Sequence, residues 1–137
     1  MTLPAKFVER VLCDLGEAEG RALCAALDGV PPVSVRINPA KAAADALPAL
    51  EIAGQVPWCR DGRYLAVRPS FTLDPDFHAG AYYVQEASSQ FVGHLLEGVR
   101  TEGVRILDLC AAPGGKTIAT AERMKNQGRI LAMDFYE

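Results

Sequence analysis

The 137-residue sequence lacks the patterns that mark a metal site or a membrane protein. Its four cysteines include no CxxC pair, and neither histidine stands at a ligand-like spacing from them, so no metal is expected. Free cysteines of this kind fit a reduced, cytoplasmic setting. No apolar run reaches the roughly 20 residues of a transmembrane helix, and the N-terminus lacks the apolar core of a signal peptide, so no membrane association is expected.

The sequence also lacks a global excess of positive charge. Its formal net charge is −3, which gives no general argument for binding nucleic acid. The segment 32–70 is nevertheless basic, because it holds Arg36, Lys41, Arg60, Arg63 and Arg68 against Asp45, Glu51 and Asp61. We expect these basic residues to form a solvated face; a patch that contacts phosphate groups is the alternative.

The first half of the chain predicts helices followed by strands. Apolar spacing indicates one helix from Pro4 to a break at Gly16 and a second over 17–27. Residues 33–37 alternate with period two, which is typical of a strand with one apolar face. Asn38 followed by proline resembles a helix start and predicts a helix to about Leu47.

A hairpin is predicted over 55–68. Asp61 and Gly62 separate two β-prone runs, and this pair suits a two-residue turn with positive φ. Trp58, the single tryptophan, is expected to pack in the core, with base stacking as the alternative. Together these elements predict a small α+β domain, with a boundary between 69 and 75.

The second half predicts a different architecture. After residue 86 the pattern becomes helical, and four apolar residues are expected to face inward: Phe91, Val92, Leu95 and Leu96. The polar residues before and at its start are explained by capping: Gln85, Glu86, Ser88 and Ser89. A strand at 104–110, a helix at 115–126 and a strand at 129–134 then predict a βαβ unit with parallel strands.

The turn between the first strand and the helix of this unit is the candidate binding site. A phosphate-binding P-loop would need glycine where Cys110 stands, and the G-x-G-x-x-G dinucleotide pattern is missing. The remaining interpretation is a nucleoside ligand without a diphosphate, such as S-adenosylmethionine, with Asp134 accepting hydrogen bonds from the ribose hydroxyls. Lys116 in the first helical turn opposes the helix dipole, which favours a functional role. A nucleophilic role for Cys110 is disfavoured, because small size near the ligand explains it.

The stretch Leu107–Thr117, LDLCAAPGGKT, closely resembles the cofactor-binding motif of the Sun/Fmu family of RNA (cytosine-5-)methyltransferases. Residues 82–89, YYVQEASS, are similar to the segment that precedes this motif in the family. SVRIN at 34–38 and PWC at 57–59 resemble the N-terminal domain of its bacterial ribosomal-RNA (RsmF-like) branch. The resemblance spans nearly the whole chain.

The resemblance implies an α/β protein: a small α+β, RNA-contacting domain over 1–76, then the start of a Rossmann-like methyltransferase domain over 77–137. It implies that the methionine end of S-adenosyl-L-methionine is held by Cys110, Ala111, Ala112, Pro113, Gly114, Gly115 and Lys116, and that Asp134 holds its ribose. The implied partner is RNA, specifically ribosomal RNA. In the family a cysteine thiolate adds to carbon 6 of cytosine and carbon 5 takes the methyl group.

The family's catalytic cysteines lie beyond the second strand of this unit. No Asp-Ala-Pro-Cys or Thr-Cys-Ser run occurs in the sequence, so no catalytic residue is assigned. We therefore expect the chain to be the N-terminal portion of such an enzyme and to be inactive by itself. Two alternatives stay open: a non-catalytic RNA-binding or partner module, and a nucleotide-hydrolysing P-loop protein, against which Cys110 argues.

Overall fold

The computed structural model describes residues 3–43, 46–100, 103–125 and 127–135. Contacts divide the chain into two compact units, Met1–Pro32 and Val33–Glu137. The candidate site lies wholly in the second unit.

The first unit is helix α1, Ala5–Asp28, whose backbone is interrupted at one residue. Gly16 has φ 80° and ψ 172°, a non-helical conformation that favours glycine. The predicted division into two helices at Gly16 is thus confirmed, with the second ending at Asp28. Gly20 lies against the part of α1 that precedes Gly16, because a Cβ added at Gly20 would be 2.9 Å from Cδ2 of Leu12.

The second unit opens with a four-stranded antiparallel sheet. Its strands are β1 Val33–Ile37, β2 Ile52–Gln55, β3 Gly62–Leu65 and β4 Tyr82–Val84, in the order β2-β3-β1-β4. A 3₁₀ turn, Phe71–Leu73, and a short helix α2, Pro75–His78, connect β3 to β4. Residues from β1, β3, β4 and the connections form the core: Val35, Ile37, Leu47, Leu50, Leu65, Phe71, Ala81 and Tyr82.

Strand β1 and its apolar face are confirmed, since Val35 and Ile37 lie in the core, but the opposite, polar face is not exposed to solvent. It pairs with β3 on one side and β4 on the other, and its polar residues are buried as well. Ser34 is 4% exposed and Arg36 is 5% exposed. The expected solvated face therefore does not include Arg36.

The predicted helix from Asn38 does not form in the described part of that stretch, from which residues 44 and 45 are excluded. Asn38 Oδ1 accepts a hydrogen bond from the Ala40 amide, and the Asn38 carbonyl accepts from the amides of Lys41 and Ala42. These contacts close a turn. Leu47 and Leu50 are then buried in the core, so packing overrides the local helix signal.

A hairpin is present, but it spans 52–65 instead of the predicted 55–68, and its predicted two-residue turn is wrong. Strand β2 ends at Gln55 and β3 begins at Gly62, so residues 56–61 form a longer connection. Gly62 is a strand residue, and a Cβ there would overlap Oε1 of Gln90 and lie 2.8 Å from Cβ of Val56. Glycine is therefore needed for close packing at this position, not for a turn.

The rest of the second unit contains helix α3, Ala87–Leu95, followed by β5 Arg105–Asp108, α4 Gly115–Arg123 and β6 Arg129–Ala132. Strands β5 and β6 pair in parallel, with Ile106 opposite Ile130, which confirms the predicted βαβ unit. The predicted last residue of its helix, 126, lies outside the described residues.

The predicted inward face of α3 is only partly correct. Phe91 is 41% exposed and Leu95 is 64% exposed, whereas Gln90 is 1% exposed. Gln90 faces inward because its amide nitrogen donates to the carbonyls of Val35 and Gln85.

The fold is therefore mixed α/β, with a small α+β part followed by the first strands of a Rossmann-like parallel sheet. Strand β4 lies beyond the predicted boundary at 76/77 and pairs with β1. The division into domains at 76/77 stays a prediction.

Candidate functional site

Asp108, the last residue of β5, organises the turn that follows. Its Oδ1 accepts a hydrogen bond from the Cys110 amide (3.3 Å), and its Oδ2 accepts from the Thr117 hydroxyl (2.6 Å). Its carbonyl accepts from the Met133 amide next to β6 (2.8 Å). One residue thus fixes the start of the loop, the first turn of α4 and the end of the neighbouring strand.

The loop reaches α4 through two glycines that serve different purposes. Gly114 precedes the helix in the left-handed region, with φ 102°, and its amide donates to the Ala111 carbonyl (2.6 Å). Gly115 is buried against the four-stranded sheet, where an added Cβ would lie 3.1 Å from Cε1 of Tyr83 and 3.0 Å from Nε2 of Gln85. The first glycine sets the direction of the chain, and the second permits close approach.

Asp134, two residues after the end of β6, contacts this loop directly. Its Oδ2 accepts a hydrogen bond from the Ala112 amide (2.6 Å), and the adjacent Met133 carbonyl accepts from the Ala111 amide (3.0 Å). The structure therefore brings the Asp134 carboxylate into contact with the loop. The aspartate side chain is exposed and its contact with the loop leaves further acceptor capacity, because a carboxylate has about four lone-pair sites.

A cavity of about 220 Å³ opens between the loop and the segment 83–89. The predicted residues that line it are Cys110, Ala111, Ala112, Pro113, Gly115 and Lys116. Gly114 shapes the loop, and Asp134 contacts it through Ala112. The opposite wall consists of Tyr83, Val84, Gln85, Glu86 and Ser89.

The roles of that opposite wall were missed by sequence reasoning. Glu86 precedes α3 but makes no side-chain cap hydrogen bond, so the capping explanation for it is wrong. The Tyr83 hydroxyl donates to the Pro113 carbonyl (2.7 Å) and ties β4 to the loop. The sequence does carry a signal for this wall: polar residues at 85–89 directly follow the apolar strand β4, and three of them line the cavity.

Arg36 connects this wall to helix α4. Its Nε donates to Oε1 of Gln85 (3.0 Å), and its Nη1 donates to a carboxylate oxygen of Glu122. Burial raises the pKa of the Glu122 carboxyl, and the nearby Arg36 guanidinium opposes that shift. Arg36 in β1 is thus bonded both to Gln85, two residues before α3, and to Glu122 in α4.

Trp58 is half-buried and lies outside the core cluster, so its predicted place in the core is wrong, but it makes contacts that hold the fold. Its Nε1 donates to the Ala87 carbonyl (2.7 Å), and its ring meets Phe91 edge-on with centroids 6.0 Å apart. It thereby joins the hairpin connection to the start of α3.

The described ranges carry neither a membrane-spanning helix nor a metal-binding cluster. No helix within them is long and apolar enough to cross a membrane. The same part of the chain contains no group of three or more His, Cys, Asp or Glu side chains placed to hold a metal ion.

Two family models match the sequence. One, described as the N-terminal domain of 16S rRNA methyltransferase RsmF, matches residues 3–87. The other, described as 16S rRNA methyltransferase RsmB/F, matches residues 95–137 and therefore covers the loop and Asp134.

Individual relatives agree with these matches. A probable ribosomal RNA small subunit methyltransferase B from Synechocystis is 38% identical over 128 residues, which are 87% of this chain and 28% of that protein. Ribosomal RNA small subunit methyltransferase F from Citrobacter koseri is 39% identical over 84 residues, 58% of this chain and 18% of that protein. The chain thus spans less than a third of the length of either relative.

A solved structure shares the fold. A methyltransferase homolog from Pyrococcus horikoshii superposes with a TM-score of 0.73 at 29% identity, covering 96% of this chain and 48% of that one. Since the first family model alone matches more than half of the sequence, the chain belongs to the RsmB/RsmF family of 16S rRNA methyltransferases.

Proposed function

We propose that this chain is part of an enzyme that transfers a methyl group from S-adenosyl-L-methionine to carbon 5 of a cytosine in RNA, and that this RNA is ribosomal. The observation that carries the proposal is the cavity in which the 110–113 loop and the start of α4 meet, with Asp134 bonded to the same loop. We place the protein in the cytoplasm, where ribosomal RNA is found.

The amino-acid end of the cofactor would lie at the loop and the start of α4, and its ribose would lie at Asp134. Small side chains at Cys110, Ala111 and Ala112 allow a ligand to approach the loop backbone. The first N–H groups of α4 have no partner within the helix and suit the carboxylate of the amino-acid end. The carboxylate of Asp134 suits the ribose hydroxyls. The bound cofactor would supply the methyl group, and these residues would hold and orient it.

The RNA would contact the segment before residue 77. The methylation of cytosine would need a nucleophilic thiolate, which neither Cys59 nor Cys110 is suited to supply. Burial raises the pKa of the Cys59 thiol, which disfavours the thiolate that nucleophilic addition needs. Cys110 lines the cofactor cavity. We therefore expect the 137-residue chain alone to show no methyl transfer to ribosomal RNA, and to bind cofactor weakly.

The proposal is tested by titrating the ¹⁵N-labelled chain with S-adenosylmethionine and, separately, with ATP. We expect amide shift changes concentrated at residues 110–117 and 134. Asp134→Asn keeps an acceptor for the Ala112 amide but removes the charge, and should weaken binding about tenfold, the effect of a lost charge-assisted hydrogen bond. Asp14→Asn, at an exposed position on α1, is the matched control.

Shift changes that map elsewhere, or equal shifts with ATP, would contradict a nucleoside site of this kind. Ribosomal RNA that shifts other residues while S-adenosylmethionine shifts none would favour the RNA-binding module instead. Any turnover in a methyl-transfer assay with the chain alone would overturn the expected inactivity.

A further inference from the structure

Both backbone polar groups of Gln85, its amide and its carbonyl, are hydrogen-bonded. It is 6% exposed and stands two residues before α3. Its carbonyl accepts hydrogen bonds from the Ser34 hydroxyl (2.7 Å) and from Nε2 of Gln90 (3.0 Å), and its amide donates to the Ser34 carbonyl (3.3 Å). The position from which its side chain extends is therefore fixed.

The orientation of its side-chain amide is fixed as well. Oε1 of Gln85 accepts from Nε of Arg36 (3.0 Å). Arginine has five N–H donors and no acceptor, so this contact exists only when the amide oxygen faces Arg36. Arg36 is itself 5% exposed and is held by Glu122, so it has no solvent-facing alternative. The amide nitrogen must then point the other way.

That nitrogen faces the cavity beside the start of α4. Nε2 of Gln85 lies 3.0 Å from where a Cβ of Gly115 would be, and among the described residues it has no acceptor. The N–H groups of the first turn of this nine-residue helix open at the same place. Several donors thus converge on one spot, which suits a group with several acceptor lone pairs, and a carboxylate is such a group.

We propose that Gln85 donates a hydrogen bond to the carboxylate of the ligand's amino-acid portion, and that Arg36 is the positioning residue that keeps the amide nitrogen turned toward it. This rests on the proposed function, and adds to the loop residues a buried donor from the opposite wall. A flipped amide would present its oxygen to the carboxylate and repel it. Arg36 therefore makes the site selective for an acceptor.

The test compares two nucleosides that differ in the amino-acid portion. S-adenosylhomocysteine has the carboxylate, and 5′-methylthioadenosine lacks it. Gln85→Glu keeps an acceptor for Arg36 but replaces the amide donor with a negatively charged oxygen, so it should weaken S-adenosylhomocysteine binding at least about tenfold and leave 5′-methylthioadenosine within about twofold. Gln55→Glu, an exposed glutamine on β2, makes the same charge change as a control. Arg36→Met releases the amide and should weaken binding in the same selective way.

The side-chain NH₂ resonance of Gln85 provides a second measurement on the unaltered chain. It should shift on addition of S-adenosylhomocysteine and not on addition of 5′-methylthioadenosine. If Gln85→Glu weakens neither nucleoside or both equally, or if that resonance does not respond, the inference is overturned while the proposed function stands. If the unaltered chain binds neither nucleoside, the proposed function fails with it.

Discussion

Replacing Gly62 by alanine should destabilise the second unit through overpacking. The added Cβ would overlap Oε1 of Gln90 and would lie 2.8 Å from Cβ of Val56 and 3.0 Å from Cβ of Cys59. Gln90 cannot withdraw freely, because its amide nitrogen bonds the Val35 and Gln85 carbonyls. Overpacking of this kind costs about 1–3 kcal/mol and one broken hydrogen bond about 1 kcal/mol more. The reduced flexibility of alanine in the unfolded chain offsets about 0.5–1 kcal/mol, so we expect a net loss of about 2 kcal/mol.

Urea unfolding followed by tryptophan fluorescence measures this loss directly. Trp58 is the single tryptophan, and it bonds the start of α3 from the hairpin connection, so its emission reports on this region. Gly54→Ala, in the paired strand, is the control, because nothing lies within 4 Å of its Cβ position. It should leave stability unchanged or raise it by about 0.5 kcal/mol. Equal unfolding midpoints for the two variants would refute the packing explanation for Gly62.

Two further substitutions test buried polar contacts. Tyr82→Phe removes the hydroxyl that donates to Oδ2 of Asp74 (2.6 Å). Because burial raises the pKa of Tyr82, this hydroxyl stays protonated and able to donate. Its loss should lower the free energy of unfolding, measured by heat or urea, by about 1.5–3 kcal/mol. A loss below half of that would mean that water replaces the hydroxyl. For Glu122, burial raises the folded-state pKa above the ordinary value of 4.5. The folded state therefore binds more protons than the unfolded state, and stability falls as pH rises from 4.5 through the folded-state pKa. The unfolding free energy of the unaltered chain should therefore fall relative to that of Glu122→Gln as pH rises above 4.5, and parallel pH curves would contradict this.

The parallel unit was the part of the fold that local signals predicted best. Its strands and helix each produce a pattern over a few neighbouring residues, and Gly114 stands where a left-handed turn needs glycine. The pairing of Asp134 with the loop was predictable for the same reason, because the carboxyl ends of adjacent parallel strands meet at one edge.

The buried polar contacts could not be predicted from the sequence. Arg36 resembled a surface charge within a basic segment, and its partners Gln85 and Glu122 lie 49 and 86 residues away. No periodicity connects residues at such distances. Gln90 likewise broke the apolar pattern of its helix, because its buried position depends on two carbonyls from other segments.

The Asp61-Gly62 pair predicted a tight turn, but the glycine at position 62 is needed for a different reason. The pair is typical of a tight turn, yet Gly62 is in β3 and its missing side chain makes room for Gln90. Sequence identifies where glycine is tolerated, but it does not distinguish a conformational need from a steric one.

The contacts of Asp108 have a consequence for how the cavity is assembled. They join β5, the loop, α4 and the end of β6 within a span of fewer than thirty residues, so the shape of the loop is encoded locally. The wall that bears Tyr83 and Gln85 depends on the antiparallel sheet and on β1. The shape of the loop therefore depends on residues close to it in the sequence, whereas the cavity also depends on the segment that follows the antiparallel sheet.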